Sequence, residues 1–155
     1  MQSTPVQTLL RDLKSEEREI RDHALQELQQ LWMDQKGIVG LQMLHRAQSF
    51  LNTGDLGQAE LLLTQLTQSM PNFAEAWHQR AILYFGAQRY RKSLSDCQQT
   101  IALNPFHFQA MHGLGLCHFQ LKEYRAASQA LRRALSLYPH DLESQRLLLE
   151  CAAHL

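Results

Sequence analysis

The chain has 155 residues, enough for one domain of ordinary size that buries most of the surface its unfolded form would expose. Fifteen Lys and Arg balance fifteen Asp and Glu, which leaves no overall field to draw in nucleic acid or an anionic membrane. The three cysteines, Cys97, Cys117 and Cys151, are odd in number and lack metal-type spacing, so each reads as a small apolar filler in a reducing compartment.

Charge is nevertheless uneven along the chain. Residues 1–75 carry six basic against ten acidic side chains, and residues 76–155 carry nine against five, a mild dipole suited to steering a protein partner. No apolar run reaches the roughly 18–20 residues of a membrane span, and no charged–apolar–small signal segment opens the sequence. The expectation is a cytoplasmic protein without membrane insertion.

Taken in order, residues 1–39 form an N-terminal segment of amphipathic capping helices. Thr4-Pro5 reads as a helix cap followed by proline at the first helical position, and Leu9, Leu10 and Leu13 supply a short apolar stripe. Ser15 reads as a second cap, with Glu16 and Glu17 in the first turn where carboxylates suit the helix dipole. Ile20, Ala24, Leu25, Leu28, Leu31 and Trp32 then recur at three- and four-residue spacing, one face of an amphipathic helix that Gly37 stops. The simplest role is to cover the exposed end of the helices beyond residue 40; docking a partner, or pairing with a twin in a homodimer, are the alternatives.

From residue 40 onward the chain keeps a 34-residue beat. Pro71, Pro105 and Pro139 mark it, each placed to stop a helix. The central unit, Ala74 to His107, reads AEAWHQRAILYFGAQRYRKSLSDCQQTIALNPFH, and its Trp77, Ala81, Tyr84, Tyr90, Cys97 and Ile101 find partners of similar size one period away. Ala47, Ala81 and Gly115 share one place, where two helices approach too closely for a larger side chain. Gly54 sits at the reversal between paired helices, where positive φ costs glycine little. Residues 40–73, 74–107 and 108–141 are thus three units, and residues 142–155 begin with Asp141 as a cap and form a final helix whose Leu147, Leu148 and Cys151 cover the third.

This pattern of large, small, aromatic, small, large, small and closing proline resembles the tetratricopeptide repeat. The resemblance implies an all-α superhelical solenoid of about nine helices, three helix-turn-helix pairs between N-terminal and C-terminal caps. The run from Ala74 to Ala81 and the phrase HFQAMHGLGL at His107–Leu116 are also similar to small bacterial, cyanobacterial and plastid proteins of this family, mostly uncharacterised. Bacterial cytosol or plastid stroma would be the setting.

In such a solenoid the first helix of each pair lines a concave groove. The first unit offers Leu44, His45, Gln48 and Asn52 to it, along with Leu41 and Leu51. From the second come His78, Gln79, Ile82 and Phe85, with Glu75 and Gly86. The third contributes Gln109, His112, Leu116 and Phe119, with Gly113 and Gln120. An apolar strip beside imidazoles and amides suits an amphipathic helix or extended peptide with a few large apolar anchors. Phe85 and Phe119, near helix ends, can equally pack between neighbouring repeats.

Some members of the family bind a C-terminal carboxylate through a clamp of Lys, Asn and Arg on these faces. Here no groove place carries lysine and only Asn52 supplies asparagine, so that clamp is absent by the test of its residues. Three imidazoles at His45, His78 and His112 raise the question of zinc. Adjacent helices stand about 8–10 Å apart, too wide for shared ligands, and no metal is expected. Arg46 and Arg80 replace the usual aliphatic residue and can reach Glu60 or Asp96 on the second helices, or a partner carboxylate. The cations of the second helices, Arg89, Arg91, Lys92, Arg125, Arg132 and Arg133, read as a solvated convex face.

Neither a nucleophile–base pair, a phosphate loop nor a metal motif appears, so catalysis and cofactors are not expected. The reading that remains is a non-catalytic interaction module, an adaptor, scaffold or assembly factor for a protein or peptide client. A chaperone that keeps one client soluble and a structural dimer made through the N-terminal helix are the alternatives.

Overall fold

The computed structural model describes residues 5–155. Among them are nine α-helices and no strand: α1 Pro5–Asp12, α2 Arg18–Met33, α3 Gly37–Asn52, α4 Leu56–Ser69, α5 Ala74–Gly86, α6 Tyr90–Leu103, α7 Phe108–Gln120, α8 Tyr124–Leu137 and α9 Leu142–Ala153. The cap expected at Thr4 lies outside the described residues. Helices α3/α4, α5/α6 and α7/α8 form three antiparallel pairs stacked in sequence, and α9 lies against α8.

The beat of the sequence is visible in the backbone. Each pair turns through one residue at positive φ, Gly54 (81°), Gln88 (61°) and Lys122 (63°), which are the same place in successive units. The amide after each returns to a carbonyl of the first helix: Asp55 to Phe50, Arg89 to Tyr84 and Glu123 to His118, at 2.8–2.9 Å. Met70, Asn104 and Tyr138 end the second helices with amides bonded back to Leu66, Thr100 and Ala134, and a proline follows each. Proline lacks the N–H that another turn would need.

Close helix contact rests on small residues. Ala47, Ala81 and Gly115 are all buried, and a Cβ on Gly115 would stand 2.7 Å from Leu131 of α8. Ser93 hydroxyl donates to the Ala81 carbonyl at 2.7 Å, tying α6 to α5 at that level. Arg80 makes the predicted ion pair: its guanidinium grips Asp96 with bonds of 2.7 and 2.9 Å and lies over Trp77 and Tyr84. Arg46 does not follow it. Its side chain is exposed, and Glu60 instead takes the Tyr84 hydroxyl at 3.1 Å and Arg89 at 3.2 Å.

The ends differ in how they close the stack. Leu147 and Cys151 of α9 bury against Ala127 and Leu131, as their spacing predicts, with Asp141 at the N-cap. Helix α2 begins two residues later than a Ser15 cap would place it; Ser15 accepts the Glu17 amide instead, and Arg21 bonds the carbonyls of Ser15 and Glu16. More consequential is where α2 goes. It meets α3 and α5, and its Ala24 and Leu28 form one apolar cluster with Leu13, Phe108 of α7 and Tyr138 beyond α8. It therefore reaches the third helix pair instead of closing only the first.

Candidate functional site

The first helices α3, α5 and α7 line the groove side of the stack. The structure sorts the expected groove residues into three groups. His45, Gln48 and Asn52 of α3 are exposed, and none of them lines either of the two cavities described below. Leu44 and Gln79 differ from the expectation of groove lining. Leu44 is 0% exposed, packed with Leu66, Phe73 and Ala76 beside Met33, and Gln79 is 5% exposed. The matching place at Gly113 faces Cys97 of the preceding α6, so a side chain there points between repeats.

Helix α2 covers a second group. His78 and Gln109 lie under its C-terminal half: Trp32 stacks on His107 at 4.7 Å, His107 meets His78 at 4.5 Å, and Gln109 amide nitrogen donates to Gln29 at 3.2 Å. At the bottom of this seat is a buried polar pair. His107 Nδ1 accepts the Ala110 amide as the cap of α7, so its proton is on Nε2, which donates to Glu75 Oε1 at 2.5 Å. Burial alone would raise the Glu75 carboxyl, yet the hydrogen bond and the electrostatic pull of His107 and His78 bring it below its ordinary value. Burial pushes the His78 imidazole down to about 3, with His107 adding to the effect and Glu75 opposing it. Glu75 Oε2 and His78 Nδ1 have no hydrogen-bond partner among the described residues.

The third group remains open. Ile82, Phe85, His112 and Leu116, with Ala81, Ser93, Cys97 and Gly113, enclose a cavity of about 280 Å³ between α5 and α7, which His78 and Gln109 at the edge of the covered group also border. Ile82 is 50% exposed at its rim. The Cys97 thiol is held uncharged by its hydrogen bond with Cys117 and by burial, both of which raise its pKa. A second cavity of about 320 Å³ lies between α7 and α9, lined by His112, Leu116, Phe119, Gln120, Glu143 and Arg146 among others. His112 and Leu116 border both, so the two are parts of one trough. Phe85 and Phe119 serve twice: each is half-buried and packs edge-on against the tyrosine that opens the next helix, Tyr90 at 5.3 Å and Tyr124 at 5.5 Å, while its remaining surface faces a cavity.

Several of these residues escape a reading by spacing. Gly113 is not one of them, since spacing places it in the groove; the same place holds His45 and Gln79 in the earlier units. Ser144 and Asp141, which fix His112, and Trp32, which covers His107, lie far from their partners in sequence and carry no signal of the pairing. Among the described residues no group of three His, Cys, Asp or Glu is placed to hold a metal ion.

Comparison with known proteins agrees with this architecture. Residues 78–141 match the profile of the tetratricopeptide repeat family. A TPR repeat-containing protein of Rhizobium etli is 35% identical over 75 residues, 48% of this chain and 37% of that one. The BBS4 homolog of the BBSome complex in Drosophila melanogaster is 25% identical over 97 residues, 63% of this chain and 20% of its own length. The chain thus spans well under half of the relatives it matches. Among solved structures, the first TPR domain of Spaghetti (RPAP3) bound to the HSP90 peptide SRMEEVD superposes with a TM-score of 0.71 at 23% identity, over 73% of this chain and 90% of that one. The fold is that of a tetratricopeptide-repeat solenoid, and residues 78–141 carry that family's sequence pattern.

Proposed function

We propose that the protein is a non-catalytic interaction module, an adaptor or scaffold that holds a short segment of a client protein in the trough between α5, α7 and α9. The observation that carries this reading is the open cavity of about 280 Å³ with an apolar floor and a half-exposed isoleucine at its rim, on a scaffold of tetratricopeptide repeats. Concave, mostly apolar sites with few polar points are what protein anchors fill. The Spaghetti domain holds an acidic peptide, but the trough here has different chemistry. No lysine borders either cavity, and the charged residues Glu143, Arg146 and Glu150 lean acidic. The client segment is accordingly apolar and free of an acidic tail. The free, buried cysteines Cys97, Cys117 and Cys151 support a reducing, cytoplasmic setting.

Ile82 gives the cleanest test, because it is exposed and its replacement leaves the repeat packing intact. Tagged wild-type protein and Ile82→Asp are each used as bait in the native cell extract, and captured segments are mapped by crosslinking and mass spectrometry. Crosslinks should concentrate on α5 and α7 and vanish in the variant, while the melting curve stays unchanged. Crosslinks that survive Ile82→Asp, or that map to the convex helices α4, α6 and α8, would remove the trough from consideration.

A further inference from the structure

We propose that the trough takes an amphipathic helix of the client, with two apolar anchors seven residues apart, one for each cavity, and lysine or arginine on both sides of the anchor that enters between α7 and α9. This rests on the trough being the binding surface. The spacing of the cavities and the charges on one wall carry it.

The cavities lie on either side of α7 and share His112 and Leu116 as a common wall. Their separation is therefore about one helix spacing, ~8–10 Å. Side chains seven apart on a helix rise by about 10 Å and return to the same face, with the turn between them over Leu116. A strand fits less well, since its same-face residues fall at about 6.6 or 13 Å. A polyproline segment would match the distance, but it docks in grooves lined by aromatic rings, and each cavity has one phenylalanine, Phe85 or Phe119.

The lining of the first cavity changes along its two helices. His78 and Gln109 stand one turn before Ile82 and Gly113, at the edge that α2 covers. The Gln109 amide nitrogen is already bonded to Gln29, and the Ser93 hydroxyl to the Ala81 carbonyl and the Cys117 thiol. On the open side an anchor meets Ile82, Phe85 and Leu116, which are apolar.

The second cavity adds charge. Glu143, Arg146 and Glu150 follow one another at about one turn along α9, and all three border it. Among the described residues Arg146 and Glu150 have no ion pair, and Glu143 has only the His112 ring at 3.9 Å. Carboxylates left without a partner on an interface wall favour a cation of the client and disfavour an anion. Arg146 stands between the two glutamates, so the client's cations belong on either side of the second anchor, opposite Glu143 and Glu150.

Alanine-based helical peptides are titrated into the full ¹⁵N-labelled chain: one with two leucines seven apart and lysines flanking the second, one with glutamates for the lysines, and one with the second leucine moved by two places. The lysine peptide should shift amides around both cavities, at Ile82 and Gly113 and at Gln120 and Leu147. The glutamate peptide should bind about tenfold more weakly, the scale of two exposed ion pairs, and the gap should close as salt is raised. Glu143 and Glu150 are exposed, so the double variant Glu143→Gln, Glu150→Gln keeps the fold and should bind the two peptides alike. The displaced leucine should silence Gln120 and Leu147 while Gly113 still responds. Equal binding of lysine and glutamate peptides, or a preference that survives in the double variant, overturns the cationic assignment. Equal responses to both leucine spacings overturn the helix. A silent trough with every peptide sinks both, while the crosslinking test of Ile82→Asp judges the trough itself independently.

Discussion

At Gln88 and Lys122 the backbone sits at φ of 61° and 63°, a conformation that costs a residue with a side chain about 1–2 kcal/mol. Gly54 holds the matching place without that cost. Gln88→Gly and Lys122→Gly should therefore each stabilise the fold by about 0.5–1 kcal/mol, after the extra freedom glycine gives the unfolded chain is subtracted. Urea denaturation measures it, and a loss of stability would show that these side chains contribute more than the strain. Gly115 makes the opposite case. Its Cβ would stand 2.7 Å from the fully buried Leu131, so Gly115→Ala should destabilise by about 1–3 kcal/mol despite alanine's better helix propensity.

His78 and Glu75 set an acid limit. The imidazole is free to take a proton near pH 6.5 when unfolded but only near 3 when folded, so between those values the unfolded chain binds more protons. Stability should fall as pH drops through that window, and Glu75, held below its ordinary 4.5, adds a further loss as pH falls through its lowered value. In His78→Gln the thermal midpoint should become flatter between pH 6.5 and 4.5, leaving the Glu75 share below. An unchanged slope would place the acid sensitivity elsewhere.

Among the elements, α2 is the one whose role depends least on its own residues. Trp32→Ala should free the His107 ring face and admit water to the unpaired Glu75 Oε2 and His78 Nδ1. Hydrogen exchange at the start of α5 and α7 should rise more than at α8 or α9, with a stability loss of about 1–3 kcal/mol for a half-buried aromatic. Uniform exchange changes would mean that α2 is not a local cover. The helix pairs were legible from sequence because their evidence is local and repeated: Pro71, Pro105 and Pro139 stop helices by a missing N–H wherever they stand. The Arg80–Asp96 pair was legible too, since a cation at an aliphatic place needs a nearby carboxylate. What α2 covers was not. Ala24, Leu28 and Trp32 declare an apolar face, but periodicity does not say that Phe108, some eighty residues on, will meet it. The burial of Leu44 and Gln79 escaped for a related reason, because positions on one helix face divide between open groove and inter-repeat seam according to what the neighbouring units carry.

In a simple solenoid each repeat touches only its neighbours, so stability is a sum of units and adjoining interfaces, and ends can fray while the middle holds. This molecule departs from that rule through one span: α2 rests on α3 and α5 near its own end of the stack and on Phe108 and Tyr138 near the other. Such a tie couples segments that would otherwise melt in turn. Chemical unfolding followed at Trp32 and Trp77 and by overall helicity should trace one coincident transition, whereas a chain lacking residues 1–36 should unfold in a broader, probe-dependent manner. The same strut sets how far the curve of the stack can widen or tighten. For the proposed client this means matching a fixed arc, with selectivity for its shape coming from the stiffness that a helix outside the repeats lends to them.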